Sequence, residues 1–267
     1  MQTMHLFAGV GGGLLADLIL GHEPIIAVER DAYCCKVLRE RTADGWFPNL
    51  QVWEGDIRLF DPSEYKGRVD CVHAGFPCQP HSVAGKRKGE ADERNLWPDT
   101  ARIVGEIRPR FVFLENVPGI VSNGFAAVVV GELSAMGYDS QWGIISASNA
   151  GACHRRARWW CVSELSDATN GGRKQTQGEK ESLSDANSDG LQRRAGGKFE
   201  KEGGKKQKGS EAAGGAGKMW GYWSVEPNVG RVANGVASRV DKLKALGNGQ
   251  VPIQAALAWR LLMKKQP

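Results

Sequence analysis

The chain has 267 residues, 41% of them hydrophobic and 24% charged, which excludes collagen, coiled coil and disulfide-stapled mini-protein and fits one large globular domain with at most a small second one. Lys and Arg number 35 against 30 Asp and Glu, a net charge of +5 that suits a polyanionic partner without requiring one. No apolar run approaches the roughly 20 residues needed to span a bilayer and the first residues lack signal-peptide features, so we expect a cytoplasmic protein with no membrane partner.

Residues 1–162 alternate short apolar runs with helical periodicity, the pattern of a doubly wound α/β domain with a mainly parallel, covered sheet. Strands are expected at Met4–Phe7, Pro24–Glu29, Gln51–Glu54, Val69–Ala74, Phe111–Glu115, Gln141–Ala147 and Trp159–Ser163. Helices are expected at Gly12–Leu20, Ala32–Arg41, Asn95–Ile107 and Gly124–Met136. The 47 residues Gly171–Gly217 hold 12 glycines, two leucines and one aromatic residue, Phe199, and cannot bury enough apolar surface to offset their ordering entropy. They read as a flexible linker whose Lys201–Lys208 run is either a solvated tether or a grip on DNA. Order is expected to return at Met219, followed by the basic stretch Arg239–Lys244 and a helix at Pro252–Lys264.

Six cysteines, none in a CxxC pair, read as reduced thiols, and no metal site is expected. The first glycine cluster, Phe7-Ala-Gly-Val-Gly-Gly-Gly13, follows a strand and opens a helix, where glycine permits sharp turning and close approach to a nucleotide-like ligand. It departs from the dinucleotide pattern G-x-G-x-x-G, and a tight packing turn with no ligand is the alternative. Glu29 and Asp56 close the second and third strands. Singly, each acid suits a helix N-cap; repeated at successive strand ends, they define a crevice able to hold ribose hydroxyls.

After the fourth strand, Cys78 stands between Pro77 and Pro80 on a loop at the functional edge of the sheet, where a thiol has no packing reason to be. Such a thiol is only a few per cent ionised at pH 7 and needs help to act as a nucleophile. Gly85 and Gly89 bracket Lys86, Arg87 and Lys88, a basic loop suited to a phosphate backbone. Glu115 follows four apolar residues, so its pKa should be raised for proton work. Arg156 and Arg158 alternate, and on a strand both would face one side.

In this order the motifs resemble the DNA cytosine-5 methyltransferase family over residues 5–162 and 225–267. The specific pair is Pro77-Cys78-Gln79 with Glu115-Asn116-Val117, supported by the glycine loop, Gly55-Asp56-Ile57, Arg156-x-Arg158 and Leu246-Gly-Asn248-Gly. The resemblance implies a Rossmann-like S-adenosylmethionine-dependent methyltransferase domain at 1–162, a small variable target-recognition region at 163–224, and a C-terminal segment at 225–267 folding back onto the first domain. It implies that Cys78 attacks C6 of a cytosine flipped out of double-stranded DNA, that Glu115 engages N3, and that C5 takes the methyl group of S-adenosyl-L-methionine. Arg156 and Arg158 would orient the base and Glu115. Phe7, Gly9, Gly11, Glu29, Asp56, Ile57, Pro77 and Asn248 would line the cofactor pocket, with Glu29 on the ribose and Asp56 on the adenine amino group. Ser82, Lys86, Arg87 and Lys88 would touch the DNA backbone. A bacterial or phage enzyme, either paired with a cognate restriction endonuclease or an orphan, follows; a related branch methylating tRNA and a non-enzymatic DNA-binding relative are the rivals. His5 and His154 stand where the family usually has Asp and Gln, which leaves the hydrogen bonding around the glycine loop and the arginine strand open.

Overall fold

A computed structural model describes residues 1–77, 95–166 and 239–264 of the chain. Seven strands form one sheet: β1 (Gln2–Leu6), β2 (Glu23–Glu29), β3 (Gln51–Glu54), β4 (Cys71–Ala74), β5 (Phe111–Asn116), β6 (Tyr138–Ile145) and β7 (Arg158–Leu165). Their order is β3-β2-β1-β4-β5-β7-β6. The first five run parallel, while β7 is antiparallel to both β5 and β6. The strand order reverses between β1 and β4, and in open α/β sheets ligands settle beyond the carboxyl ends of the strands at such a reversal.

Among the described residues seven stretches are α-helical, α1 (Gly12–Leu20), α2 (Ala32–Ala43), α3 (Trp97–Ile107), α4 (Gly119–Ser122), α5 (Phe125–Ala135), α6 (Arg239–Asn248) and α7 (Pro252–Met263), joined by short 3₁₀ turns that include Ile57–Leu59. Parallel strands covered on both faces should be apolar without alternation. In β5, Phe111, Val112, Phe113 and Leu114 are all buried, and alternate residues serve opposite faces. Val112 and Leu114 join Met4, Val72, Ile103, Val104, Val129 and Leu133 on one side. Phe111 and Phe113 pack with Trp160, Val162, Ala255, Ala258 and Trp259 on the other. Each fully buried aliphatic side chain of this kind stabilises the fold by about 1.5–3 kcal/mol.

Every expected strand forms, with ends displaced by up to three residues, and α1 and β3 have the expected bounds. Two differences matter for the site. The basic stretch at 239–244 is the first half of α6, because Leu243 and Ala245 give it an inward side and Lys244 Nζ reaches Asp31 Oδ2 at 2.7 Å. Strand β7 starts at Arg158, so Arg156 precedes it. The two arginines therefore do not share a strand face; Arg156 has a positive φ of 30° and lies in the connection before the strand.

The C-terminal helix α7 lies against α1, β6 and β7. Gln254, fully buried, donates through Nε2 to Ile145 O at 2.8 Å and Arg156 O at 2.9 Å, fixing the helix to the segment that carries both arginines.

Candidate active site

The turn after β1 needs left-handed backbone at three places, Phe7 (φ 57°), Gly9 (φ 55°) and Gly11 (φ 92°). At Gly9 a side chain would meet open space, leaving the backbone free to approach a ligand. Gly12 and Gly13 serve a different end. A Cβ at Gly12 would stand 2.3 Å from the carbonyl oxygen of Gln250, and one at Gly13 2.8 Å from Gln250 Oε1 and 2.9 Å from His73 Cε1. Part of the glycine cluster thus admits the protein's own C-terminal segment.

Glu29 ends β2 beside this turn. Its Oε2 accepts from Gly9 N at 2.8 Å, and its Oε1 from Arg30 N at 2.8 Å and Asp31 N at 2.7 Å. Three backbone donors fix the carboxylate and still leave lone pairs for hydroxyl donors. Asp31 caps α2 through Tyr33 N and Cys34 N. The loop after β3 is tied to β2 by Gly55 N donating to Glu29 O at 3.0 Å. Asp56 lies two residues beyond the end of β3 and caps the turn Ile57–Leu59, with Ile57 buried behind it. Both acids thus serve the fold as a backbone acceptor and a cap at the ends of neighbouring strands.

Glu115 lies near the end of β5 with its side chain 13% exposed. Arg158 Nε approaches its Oε1 at 2.9 Å. Burial pushes the Glu115 carboxyl above the ordinary carboxylate range; Arg158, Arg156 and a hydrogen bond from Gln250 pull it back without cancelling the shift. The next residue, Asn116, is buried and donates through Nδ2 to Phe76 O at 3.0 Å, while its Oδ1 accepts from Val117 N at 2.8 Å. Phe76 and the exposed Pro77 are the last described residues before position 78, so Asn116 anchors the start of the loop that carries the expected nucleophile. Cys78, Ser82, Lys86, Arg87 and Lys88 lie outside the described residues, as does Gly171–Gly217.

Arg156 donates to Gly247 O at 2.8 Å and Gly249 O at 2.5 Å, clasping the residues on either side of Asn248. Arg158 therefore meets Glu115 directly, whereas the described contacts of Arg156 also hold the C-terminal segment in place. Asn248 is exposed at the end of α6.

The unusual His5 finds its partner in Asp17 of α1. His5 Nε2 lies 2.6 Å from Asp17 Oδ2, Thr3 Oγ1 donates to the same oxygen at 2.5 Å, and His22 Nδ1 stands 3.4 Å from Oδ1. Burial alone would raise the Asp17 carboxyl, but the neighbouring histidines outweigh it and hold the group well below the usual carboxylate range. His73 on β4, tilted against the His5 ring at 4.8 Å, is pushed down to about 3 by burial and by His5, and is therefore neutral. His5, Asp17 and His73 are the group of described residues whose ligand atoms come together, within 4.8 Å. The His5 and Asp17 atoms are already engaged with each other. Asp17, His73 and Gln250 had no part in the motif reading, and Asn116 entered it only as a motif neighbour of Glu115; the third successive glycine at position 13, needless for the turn itself, was the available hint.

The sheet, with its order reversing between β1 and β4, defines a Rossmann-like, mainly parallel α/β protein. The solved structure of DNMT2 from Spodoptera frugiperda has the same fold, with a TM-score of 0.53 at 22% identity over 66% of this chain and 53% of that one. The model of the C-5 cytosine-specific DNA methylase family matches residues 1–212, and the chain belongs to that family. Among curated relatives, type II methyltransferase M.NgoMIV of Neisseria gonorrhoeae is 32% identical over 171 residues, 63% of this chain and 53% of the relative. Type II methyltransferase M.CviJI of Paramecium bursaria Chlorella virus IL3A is 34% identical over 168 residues, 62% and 44% of the two chains. The chain thus spans about half the length of the curated relatives it matches. Among the described residues no helix is long and apolar enough to cross a membrane.

Proposed function

We propose that the protein methylates C5 of a flipped-out cytosine within a specific double-stranded DNA sequence, through a transient bond between Cys78 Sγ and C6, as a type II modification enzyme with or without a cognate restriction endonuclease. The observation that carries this reading is Glu115: a buried carboxyl with raised proton affinity, held by Arg158 and adjoining the asparagine that anchors the approach to Cys78. A carboxyl so placed keeps its proton to higher pH than an exposed one and is the better suited to donate it to cytosine N3.

The residues present fit S-adenosyl-L-methionine. Gly9 opens onto free space, and Glu29 keeps acceptor capacity for ribose hydroxyls after three backbone N–H groups have fixed it. Phe7, Gly11, Asp56, Ile57, Pro77 and Asn248 would complete the pocket, with Asp56 toward the adenine amino group. When bound, the cofactor supplies the methyl carbon. As the Cys78 sulfur bonds C6, electron density moves toward C5 and N3, and Glu115 stabilises it by donating to N3. After C5 takes the methyl group from the departing cofactor, C5 gives its proton to water, the Cys78 sulfur leaves as thiolate, and the N3 proton returns to the Glu115 carboxylate, which restores the aromatic ring. Arg158 orients Glu115, and Ser82 with Lys86, Arg87 and Lys88 would contact DNA phosphates. Extrusion of the base is needed because neither ring face is accessible in the stack.

The test is transfer of a labelled methyl group from S-adenosyl-L-methionine to duplex DNA and, separately, to tRNA, with bisulfite sequencing to locate the product. Transfer to duplex cytosines at a defined sequence is expected, and Cys78→Ala should abolish it while cofactor binding persists. Methylation of tRNA with none of DNA would overturn the substrate assignment.

A further inference from the structure

Gln250 follows Gly247-Asn248-Gly249 and stands where the glycine turn, β4, β5 and the C-terminal segment converge. Its carbonyl oxygen covers Gly12, and its side chain runs between two glycines. A Cβ at Gly13 would lie 2.8 Å from Gln250 Oε1, and one at Gly75 would lie 3.1 Å from Gln250 Nε2 and 3.0 Å from Glu115 Oε2. The amide therefore occupies space that side chains at 13 and 75 would claim. At one end it hydrogen-bonds the Glu115 carboxyl in the sense that favours the ionised form, which requires Nε2 to donate. At the other end Oε1 is buried with no hydrogen-bond partner among the described residues, and so are both ring nitrogens of His73. A Cβ at Gly13 would meet Gln250 Oε1 at 2.8 Å and His73 Cε1 at 2.9 Å, so the amide and the imidazole share the space that the glycine leaves.

We propose that Gln250 is a positioning residue for Glu115, its amide set on the Oε2 side of the carboxyl where Gly75 leaves room, so that docking of the C-terminal segment on the glycine turn sets the orientation of the catalytic carboxyl. Arg158 Nε stands against Oε1 at 2.9 Å, while Gln250 Nε2 and Oε2 both border Gly75, so the carboxyl is flanked on both sides. The described charged and titratable groups facing Glu115 are Arg158 on β7 and Arg156 before it; beyond Gln250 lie His73 on β4, His5 on β1 and Asp17 on α1. The inference rests on the catalytic reading of Glu115 for its functional meaning, but the coupling itself belongs to the chain alone.

The test uses the full-length protein labelled with ¹³C at the glutamate carboxyl carbon, the Glu115 signal being assigned by its loss in Glu115→Gln. Gln250→Leu, which keeps the volume and removes the donor, should raise the Glu115 midpoint by about half a pH unit or more. Gln250→Asn, one carbon short of the carboxyl, should shift it the same way. The alkaline limb of the single-turnover methyl-transfer profile should move upward with it, which lost packing alone would not produce. An unchanged midpoint in folded Gln250→Leu overturns the proposal. Unfolding of both variants overturns it equally, because Gln250 would then be a structural support and not a positioning group. If instead Glu115→Gln retains full methyl transfer while the midpoint shift is present, the catalytic reading fails and the coupling stands.

Discussion

Replacing Gly12 by Ala tests whether the two ends of the chain must close on each other to build the cofactor crevice. The new methyl group would stand 2.3 Å from Gln250 O and 3.1 Å from Gln250 N and C, all backbone atoms that cannot swing aside as a side chain can. Restoring ordinary contact requires the C-terminal segment to retreat by on the order of 1 Å, and overpacking of this kind costs about 1–3 kcal/mol. The retreat would also strain the Arg156 bonds to Gly247 O (2.8 Å) and Gly249 O (2.5 Å) and the contact of Lys244 with Asp31 (2.7 Å). In thermal unfolding Tm should fall by about 2–4 °C for each kcal/mol lost. Calorimetric affinity for S-adenosyl-L-methionine should drop by about tenfold or more, equivalent to roughly 1.4 kcal/mol, because Asn248 moves with the segment. Gly105→Ala is the control: Gly105 is exposed within α3 and a Cβ there meets nothing, so it should stabilise by about 0.5–1 kcal/mol without changing affinity. A Gly12→Ala protein with unchanged Tm and unchanged affinity would refute the closure argument.

Three further expectations concern the buried charges and the crevice. Arg158→Met should raise the proton affinity of Glu115 further. Because a carboxyl whose folded pKa exceeds its unfolded value favours the fold most at low pH and loses that contribution as pH rises through the window between the two, the Tm deficit of this variant should be larger at pH 8 than at pH 5. Asp17→Asn should cost about 2 kcal/mol or more in urea unfolding, since it weakens charge-assisted hydrogen bonds from Thr3 and His5. The wild-type contribution of Asp17, whose carboxyl is lowered, is complete above its ordinary value near 3.8 and fades as pH falls below it, so the deficit should shrink in acid. Glu29→Ala should weaken cofactor binding by about 10–100-fold, the worth of hydrogen bonds to a charged group; unchanged calorimetric affinity would remove Glu29 from the ribose role.

Much of the architecture was legible because it rests on local pattern. Apolar runs as continuous as Phe111–Leu114 announce a strand covered on both faces, and the same run made a raised carboxyl at Glu115 predictable before its partners were known. Arg156 and Arg158 show the limit of period-two reasoning: the alternation is real, but the strand begins at Arg158, and Arg156 turns instead to the carbonyls of Gly247 and Gly249, more than 90 residues away in sequence. Arg239–Lys244 was read by charge, whereas Leu243 and Ala245 give the stretch its inward side as a helix. The polar interior behind the glycine turn was the least legible. Asp17 and His73 meet from α1 and β4, and closure of the chain brings Gln250, from the segment before α7, beside His73 and Glu115. A run of three glycines where the turn needs fewer is the trace that this closure leaves in the sequence.

The most direct measurement is mass spectrometry of the protein incubated with S-adenosyl-L-methionine and duplex DNA in which 5-fluorocytosine replaces the target base, since fluorine at C5 blocks the final elimination. The account predicts a stable protein–DNA adduct mapped to the peptide containing Cys78 and absent from Cys78→Ala. A folded, cofactor-bound protein that methylates ordinary cytosine yet forms no adduct at that thiol would contradict it.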